Sequence, residues 1–184
     1  NILGPLNYES KDSRIIGPKL GKKLLKNCAT SLLVSLFAIS FYISIRFDKK
    51  YALFALLALF HDLFIVFGIF SWLGFLLSIE VNSLFAVSLL TIAGYSVNDT
   101  VVIFDRIREN LKQNSDDFNK TIQISVNESF RRTFFTSFTT LIPLLTLIIF
   151  GSYSLFWFSI SLSLGILIGS YSSILLAPSF LIKE

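Results

Sequence analysis

The chain has 184 residues, of which 53% are hydrophobic and 15% are charged, with a mean hydropathy of +0.70. This composition excludes an ordinary soluble domain and indicates a membrane protein. The net charge of +4 is small and its cations lie beside apolar segments, which argues against a nucleic-acid-binding surface. The single cysteine, Cys28, excludes an internal disulfide, and no metal-ligand or phosphate-loop motif is present. We therefore expect no metal and no cofactor.

Residues 1–27 are polar and contain no long apolar run. Gly-Pro pairs interrupt them, and the basic stretch 19–26 is typical of a short helix that leads into a membrane. We interpret 1–27 as the end of an extracytoplasmic domain with its lead-in helix. Because the chain contains no Met, we expect it to be a fragment or a processed product of a longer protein.

Residues 28–181 are predicted to form a transmembrane domain with five apolar stretches that can cross a bilayer as helices. The predicted spans are about 28–45, 51–70, 82–104, 133–150 and 155–181. The second apolar run continues to Ile79, which is too long for one helix and too short for two. A break near Ser71–Gly74 would solve this and leave 71–81 as a short outer segment. The predicted fold is an all-α polytopic membrane protein.

The charged segment 105–132 joins the third and fourth spans. Asp116 or Asp117 is suited to cap a helix that begins there. Apolar side chains then recur every four residues, at Phe118, Ile122, Val126 and Phe130. This spacing predicts an amphipathic cytosolic helix, which either lies on the membrane surface or packs as one arm of a helical hairpin.

Cation counts predict the orientation of the chain in the membrane. The loops at 46–50 and 105–132 and the C-terminus hold ten of the Lys and Arg residues, against six in the N-terminal tail. The positive-inside rule places the ten on the cytosolic side of an inner or plasma membrane. The N-terminal tail is then extracytoplasmic and the C-terminus cytosolic.

The third span carries Asn98 and Asp99 before its first cation. A carboxylate in hydrocarbon is costly unless it is paired, hydrated or protonated, so such residues are often proton or ion sites. The alternative is an aspartate that only hydrogen-bonds a neighbouring helix. Helical spacing predicts that several polar residues share one face pointing at protein or at a water-filled cavity. These residues are Ser88, Thr91, Tyr95, Asn98 and Asp99.

The fourth span has a matching stripe of Arg132, Thr136, Thr140 and Pro143. Arg132 enters at the cytosolic end, near the level of Asp99. A nearby arginine favours the ionised carboxylate, whereas removal from water disfavours it, so movement of Arg132 would load or release a proton. The alternative is that Arg132 anchors the helix to lipid phosphates.

The second span contains His61 and Asp62 near its middle. Adjacent residues on a helix point about 100° apart, so the two cannot face the same partner. One interpretation is a neutral histidine that bonds another helix, and the other is a second proton site.

The fifth span carries small residues four apart, and these include Gly165, Gly169 and Ser173. A face of small residues lets another helix approach closely in a membrane. We interpret this face as a helix-packing surface.

Residues 94–110 (Gly-Tyr-Ser-Val-Asn-Asp-Thr-Val-Val-Ile-Phe-Asp-Arg-Ile-Arg-Glu-Asn) closely resemble the signature of the SecF family of protein-export membrane proteins. Ile16-Gly17-Pro18, His61-Asp62 and Arg132-Thr133 follow the family's order, so the resemblance covers about residues 15 to 180. It implies the resistance–nodulation–division architecture, in which this chain would hold the last five helices of a six-helix half.

The resemblance also implies a function, which is a proton-coupled translocase subunit and not an enzyme. The family is understood to use the proton gradient to drive export of unfolded preprotein beside the SecYEG channel, together with a SecD-like subunit. Asp99 matches its proton-path aspartate and Arg132 its arginine in the next span, with Asn98 adjoining them. The alternatives are a structural membrane subunit or half of an exporter of the same architecture, in which Asp99 only joins helices. An intramembrane protease is disfavoured because neither GxGD nor GxSxG is present.

Overall fold

The computed structural model describes residues 18–77, 83–113 and 117–182. Five segments in these ranges are long and apolar enough to cross a membrane, which confirms the all-α polytopic fold. The last of them is continuous from Tyr153 to Ile182 but contains one π-helical turn. The helices are α1 (Pro18–Arg46), α2 (Lys49–Leu77), α3 (Ser83–Gln113), α4 (Phe118–Phe150), α5 (Tyr153–Tyr171), the π-turn (Ser172–Leu176) and α6 (Ala177–Ile182).

Helix α1 includes the predicted lead-in helix, 19–26, and the first span without interruption. Most of its side chains are exposed, and it docks on α3 mainly through its C-terminal end. Arg46 donates two hydrogen bonds from Nη2 to the Asp105 carboxylate, at 2.6 and 2.7 Å. Phe47 packs edge-on against Phe104 at a ring distance of 6.2 Å. The predicted tail before residue 18 lies outside the described residues.

Helix α2 continues to Leu77, so the predicted break near Ser71–Gly74 is wrong. The stretch contains no proline, and a single glycine costs a helix only about 1 kcal/mol relative to alanine. The apolar run is therefore accommodated by a helix longer than the bilayer requires. Residues 78–82, which complete the predicted outer segment, lie outside the described residues.

Helices α3 and α4 both extend beyond their apolar parts and form the two arms of a hairpin. The side chain of Asp117 caps α4 by accepting a hydrogen bond from the backbone N–H of Lys120 at 3.2 Å. Asn110 donates to the Ser125 hydroxyl at 2.9 Å and so joins the two arms. Of the two interpretations of 105–132, the hairpin arm is therefore correct and the surface helix is wrong.

Helix α3 lies at the centre of the bundle and contacts α1, α2, α4 and α5. Its approach to α5 is close, because a Cβ atom added at Gly165 would lie 2.3 Å from the Ile92 side chain. A Cβ atom at Gly169 would lie 3.3 Å from the Ser96 Cβ. Van der Waals packing is the main attraction between helices in lipid, so these glycines place the α3 side chains that build the site.

Candidate functional site

Two carboxylates are buried within the bundle, one on α2 and one on α3. Asp62 is 0% exposed and Asp99 is 3% exposed. Both lie in apolar parts of their helices, where an ionised carboxylate needs a compensating partner. Their surroundings differ, and each is described in turn.

The Asp99 carboxylate is incompletely bonded. Its Oδ2 atom is buried and accepts no hydrogen bond from any residue that the structure describes. Arg132 on α4 lies within electrostatic range of this carboxylate. The Arg132 side chain is exposed, and within the described part of the chain it forms no ion pair. A buried carboxylate and an unpaired guanidinium thus face a common region between α3 and α4.

The polar residues predicted to share the Asp99 face do not share one environment. Ser88 is buried like Asp99, whereas Thr91 and Asn98 are exposed. The prediction of one polar face is wrong because Asn98 and Asp99, as neighbours, point about 100° apart on a helix. Tyr95 lies between these directions, and its hydroxyl is 3.2 Å from the Thr140 Oγ1 on α4.

A cleft of about 360 Å³ opens between the charged ends of α3 and α4. It begins one helical turn beyond Asp99, at Val102, and Arg132 forms part of its wall. Arg106 pairs across it with Glu128 at 2.6 Å and along its own helix with Glu109 at 2.8 Å. The full lining is Val102, Asp105, Arg106, Glu109, Glu128, Ser129 and Arg132. The cleft is polar and large enough to hold water.

The Asp62 carboxylate, in contrast, is fully bonded. Its Oδ2 accepts hydrogen bonds from the hydroxyls of Ser96 and Ser172, both at 2.6 Å. Its Oδ1 is 3.0 Å from the Nδ1 of His61. The expectation that a neutral His61 bonds another helix is wrong, because its partner is Asp62 on its own helix. Asp62 itself makes the bonds to α3 and to the π-turn.

The π-turn contributes two buried serines to this network. The Ser173 hydroxyl lies 2.9 Å from the Thr100 Oγ1 and 3.3 Å from the Ser96 carbonyl oxygen. Sequence analysis identified Ser173 as a packing residue but missed the roles of Ser96, Thr100 and Ser172. The feature that these three residues share in the sequence is a hydroxyl group in an apolar helix. Such a hydroxyl can bond a buried polar network that includes a carboxylate. The π-turn itself leaves no signal in the apolar pattern.

Within the described ranges, no three His, Cys, Asp or Glu side chains come together as a possible metal site. Each of the two carboxylates can bind a proton or accept hydrogen bonds.

The family described as "Protein export membrane protein SecD/SecF, C-terminal" matches residues 3–183. The chain belongs to this SecD/SecF family. Among its SecD/SecF relatives, the protein translocase subunit SecF of Prochlorococcus marinus is 56% identical over 181 residues, covering 98% of this chain and 56% of that protein. SecF of a Synechocystis strain is 43% identical over 96% of this chain and likewise 56% of its own length. The chain thus spans little more than half of the curated relatives that it matches.

Two solved structures of SecDF have an arrangement of helices similar to that of this chain. The crystal structure of SecDF from Thermus thermophilus, a translocon-associated membrane protein, matches with a TM-score of 0.83 and 38% identity. The match covers 91% of this chain and 23% of that one. SecDF in its super-membrane-facing form matches with a TM-score of 0.79 and 37% identity over 91% of this chain and 22% of that one. The predicted resemblance to the SecF family is confirmed, and the chain is a multi-pass membrane protein.

Proposed function

We propose that the chain is the membrane part of a translocase subunit that uses the proton gradient to drive preprotein export, with Asp99 as the proton carrier. One observation carries the proposal, which is the incomplete bonding of the buried Asp99 carboxylate. A carboxylate that only joins helices would accept hydrogen bonds from them, since buried polar groups are normally satisfied. Asp62 shows that this bundle can supply such bonds.

Proton exchange at Asp99 would depend on the position of Arg132. Protonation removes the charge of a carboxylate and with it most of the cost of burying it. A guanidinium nearby favours the ionised form instead. If α4 moves Arg132 towards or away from Asp99, the carboxylate releases or takes up a proton. The exposed Asn98 amide, which has no partner in the described part of the chain, would bond water or a second subunit beside this site.

The cleft between α3 and α4 offers the proton a hydrated route. It begins close to Asp99 and is bordered by charged side chains at its far end. In the orientation that the positive-inside rule favours, these charged ends face the cytosol and the N-terminal tail is extracytoplasmic, in the inner or plasma membrane. A proton released from Asp99 would then leave towards the cytosol.

A SecD-like subunit is the partner that we propose for the face beside this site. Asn98 and Arg132 are exposed on α3 and α4, although lipid tolerates such side chains poorly. A second helical subunit with polar groups of its own would cover them, and the Thermus relative is named SecDF. The SecYEG channel and unfolded preprotein enter the proposal through membership of the protein-export family.

The experiment is Asp99→Asn in the full-length protein, assembled with its SecD-like partner in membrane vesicles. Asparagine keeps the shape of the side chain but does not take up a proton as a carboxylate does. Gradient-driven export should therefore fall to the level measured without a gradient. Assembly of the complex should be unchanged. Asp48→Asn is the matched control, because Asp48 is an exposed carboxylate between α1 and α2.

The opposite outcome would favour a structural role for Asp99. If Asp99→Asn keeps its response to the gradient while the complex assembles, Asp99 joins helices and carries no proton. If export falls equally in Asp48→Asn, the loss reflects general damage, and the assignment to Asp99 fails.

A further inference from the structure

The His61–Asp62 pair takes no part in the proposed path through Asp99, yet its geometry is specific. Both serine hydroxyls donate to the same carboxylate oxygen, Oδ2. The other oxygen, Oδ1, is left facing the Nδ1 atom of His61. Asp62 is completely buried, whereas the His61 side chain is 34% exposed. The pair therefore extends from the centre of the bundle to its surface.

With Asp62 ionised, this geometry assigns the proton of neutral His61 to one ring nitrogen. An ionised carboxylate only accepts hydrogen bonds, so the atom facing Oδ1 must be a protonated Nδ1. In neutral histidine the other nitrogen, Nε2, then holds a free lone pair. No described residue forms a hydrogen bond with Nε2. The free nitrogen belongs to a ring that is partly exposed, where water or a second subunit can reach it.

No other charge competes for Asp62 within the described part of the bundle. The elements packed against it are α3, α5 and the π-turn. They present the neutral hydroxyls of Ser96 and Ser172 and the glycine Gly169, where an added Cβ would lie 3.7 Å from Oδ2. The groups that interact with the carboxylate are these two serines and His61. The carboxylate is thus the counter-charge for one group, the imidazole beside it.

We propose that His61 is a second proton-binding group of this membrane domain, and that Asp62 is the positioning residue that holds it. The step is the binding of one proton from water to the Nε2 lone pair. It produces an imidazolium beside the Asp62 carboxylate, and no other bond of the protein breaks. The proposal extends the proposed function by adding a second site to the proton path.

The network also gives this site a connection to Asp99. Ser96 lies three residues before Asp99 on α3, which is a rise of about 4.5 Å along the helix. The same carboxylate holds Ser172 in the π-turn, and such turns often mark functional sites. A change in the charge of the His61–Asp62 pair would therefore act on the helix that carries Asp99 and on the irregular turn of the fifth span.

The test is ¹⁵N-histidine NMR on the intact protein, assembled with its SecD-like partner in nanodiscs. The His61 signals are assigned by their loss in His61→Gln. In the wild-type protein, neutral His61 should carry its proton on Nδ1. Lowering the pH from about 9 to about 5 should then protonate Nε2. A proton on Nε2 in the neutral state, or no protonation across this range, would overturn the proposal.

Asp62→Asn gives a sharper second prediction. The two serine hydroxyls would hold the asparagine carbonyl oxygen in the place of Oδ2, which turns the amide NH₂ towards Nδ1. Because an NH₂ group only donates, Nδ1 would become an acceptor and the proton would move to Nε2. An unchanged tautomer in Asp62→Asn contradicts the positioning role. Ser88→Ala is the control that should keep the wild-type signals, because the buried Ser88 hydroxyl bonds its own helix at the Phe85 carbonyl.

These measurements separate the two proposals. The NMR signals report on His61 whether or not export is coupled to protons, so an export response retained in Asp99→Asn leaves them unaffected. A His61 that binds no proton in turn leaves the Asp99 result standing.

Discussion

Asp62 and Asp99 are both aspartates and are buried to nearly the same degree, yet their hydrogen bonding differs. Asp62 accepts hydrogen bonds from Ser96 and Ser172 on two other elements, and its second oxygen lies 3.0 Å from the Nδ1 of His61. Asp99 keeps a buried oxygen without a partner in the described structure. A satisfied carboxylate holds its neighbours in place, whereas an unsatisfied one gains by taking up a proton or by meeting a cation. In the proposed function, this difference separates a group that organises the bundle from one that exchanges a proton.

One helix serves both sites. Ser96 and Thr100 are four residues apart on α3 and share the face that meets Asp62 and the π-turn. Asp99 lies between them in sequence, and its carboxylate is within electrostatic range of Arg132 on α4. We therefore expect that a movement of α3 that changes one site also affects the other.

The largest effect that we expect on folding separates the two aspartates directly. Asp62→Ala removes the acceptor of two buried hydroxyls and should lower the free energy of unfolding by about 1–3 kcal/mol. Asp99→Ala removes an unsatisfied group and should change it by less than about 0.5 kcal/mol, or raise it. Equilibrium unfolding of the full-length protein in mixed micelles measures both. Equal losses in the two variants would show that Asp99 is bonded as firmly as Asp62. The distinction drawn between the two carboxylates would then be wrong.

The second prediction concerns the cation beside Asp99. Arg132→Gln should reduce gradient-driven export by roughly tenfold or more, because proton release leaves the carboxylate without its counter-charge. Arg131→Gln is the matched control, since the Arg131 guanidinium lies over the Phe135 ring, 5.8 Å from its centroid. If both variants lose export to the same extent, Arg132 is a lipid anchor and the proton site consists of Asp99 alone.

Much of this fold could be predicted from the sequence, because each apolar run is a local property of the chain. The same reasoning found Asp99, since a carboxylate is conspicuous in an apolar helix. It also singled out Asp62, but it missed the partners Ser96 and Ser172, which lie 34 and 110 residues away. A serine in an apolar run is unremarkable until the fold brings a carboxylate to it. The π-turn was missed for a related reason, because it changes the backbone without changing the apolar composition.

The third prediction tests whether close helix packing supports both sites. Gly165→Ala should lower the free energy of unfolding by about 1–3 kcal/mol, because its Cβ would overlap the buried Ile92 side chain. The double variant Gly165→Ala with Ile92→Ala should recover part of that loss by providing the space. Gly68→Ala is the control, since a Cβ there meets nothing within 4 Å. A Gly165→Ala protein as stable as the wild type would show that α3 and α5 can separate slightly without cost.

The smallest effect is expected at the charged ends of α3 and α4, and it completes the comparison. Glu128 accepts hydrogen bonds from Arg106 at 2.6 Å and from Asn110 at 2.8 Å, so by contact distance it is as well bonded as Asp62. It is exposed to water, however, and exposed ion pairs stabilise proteins by about 1 kcal/mol at most. Glu128→Gln should therefore change the free energy of unfolding much less than Asp62→Ala does, and added salt should reduce the difference further. A loss as large as that of Asp62→Ala would mean that hydrogen-bond geometry, and not burial, sets the contribution of a carboxylate in this bundle.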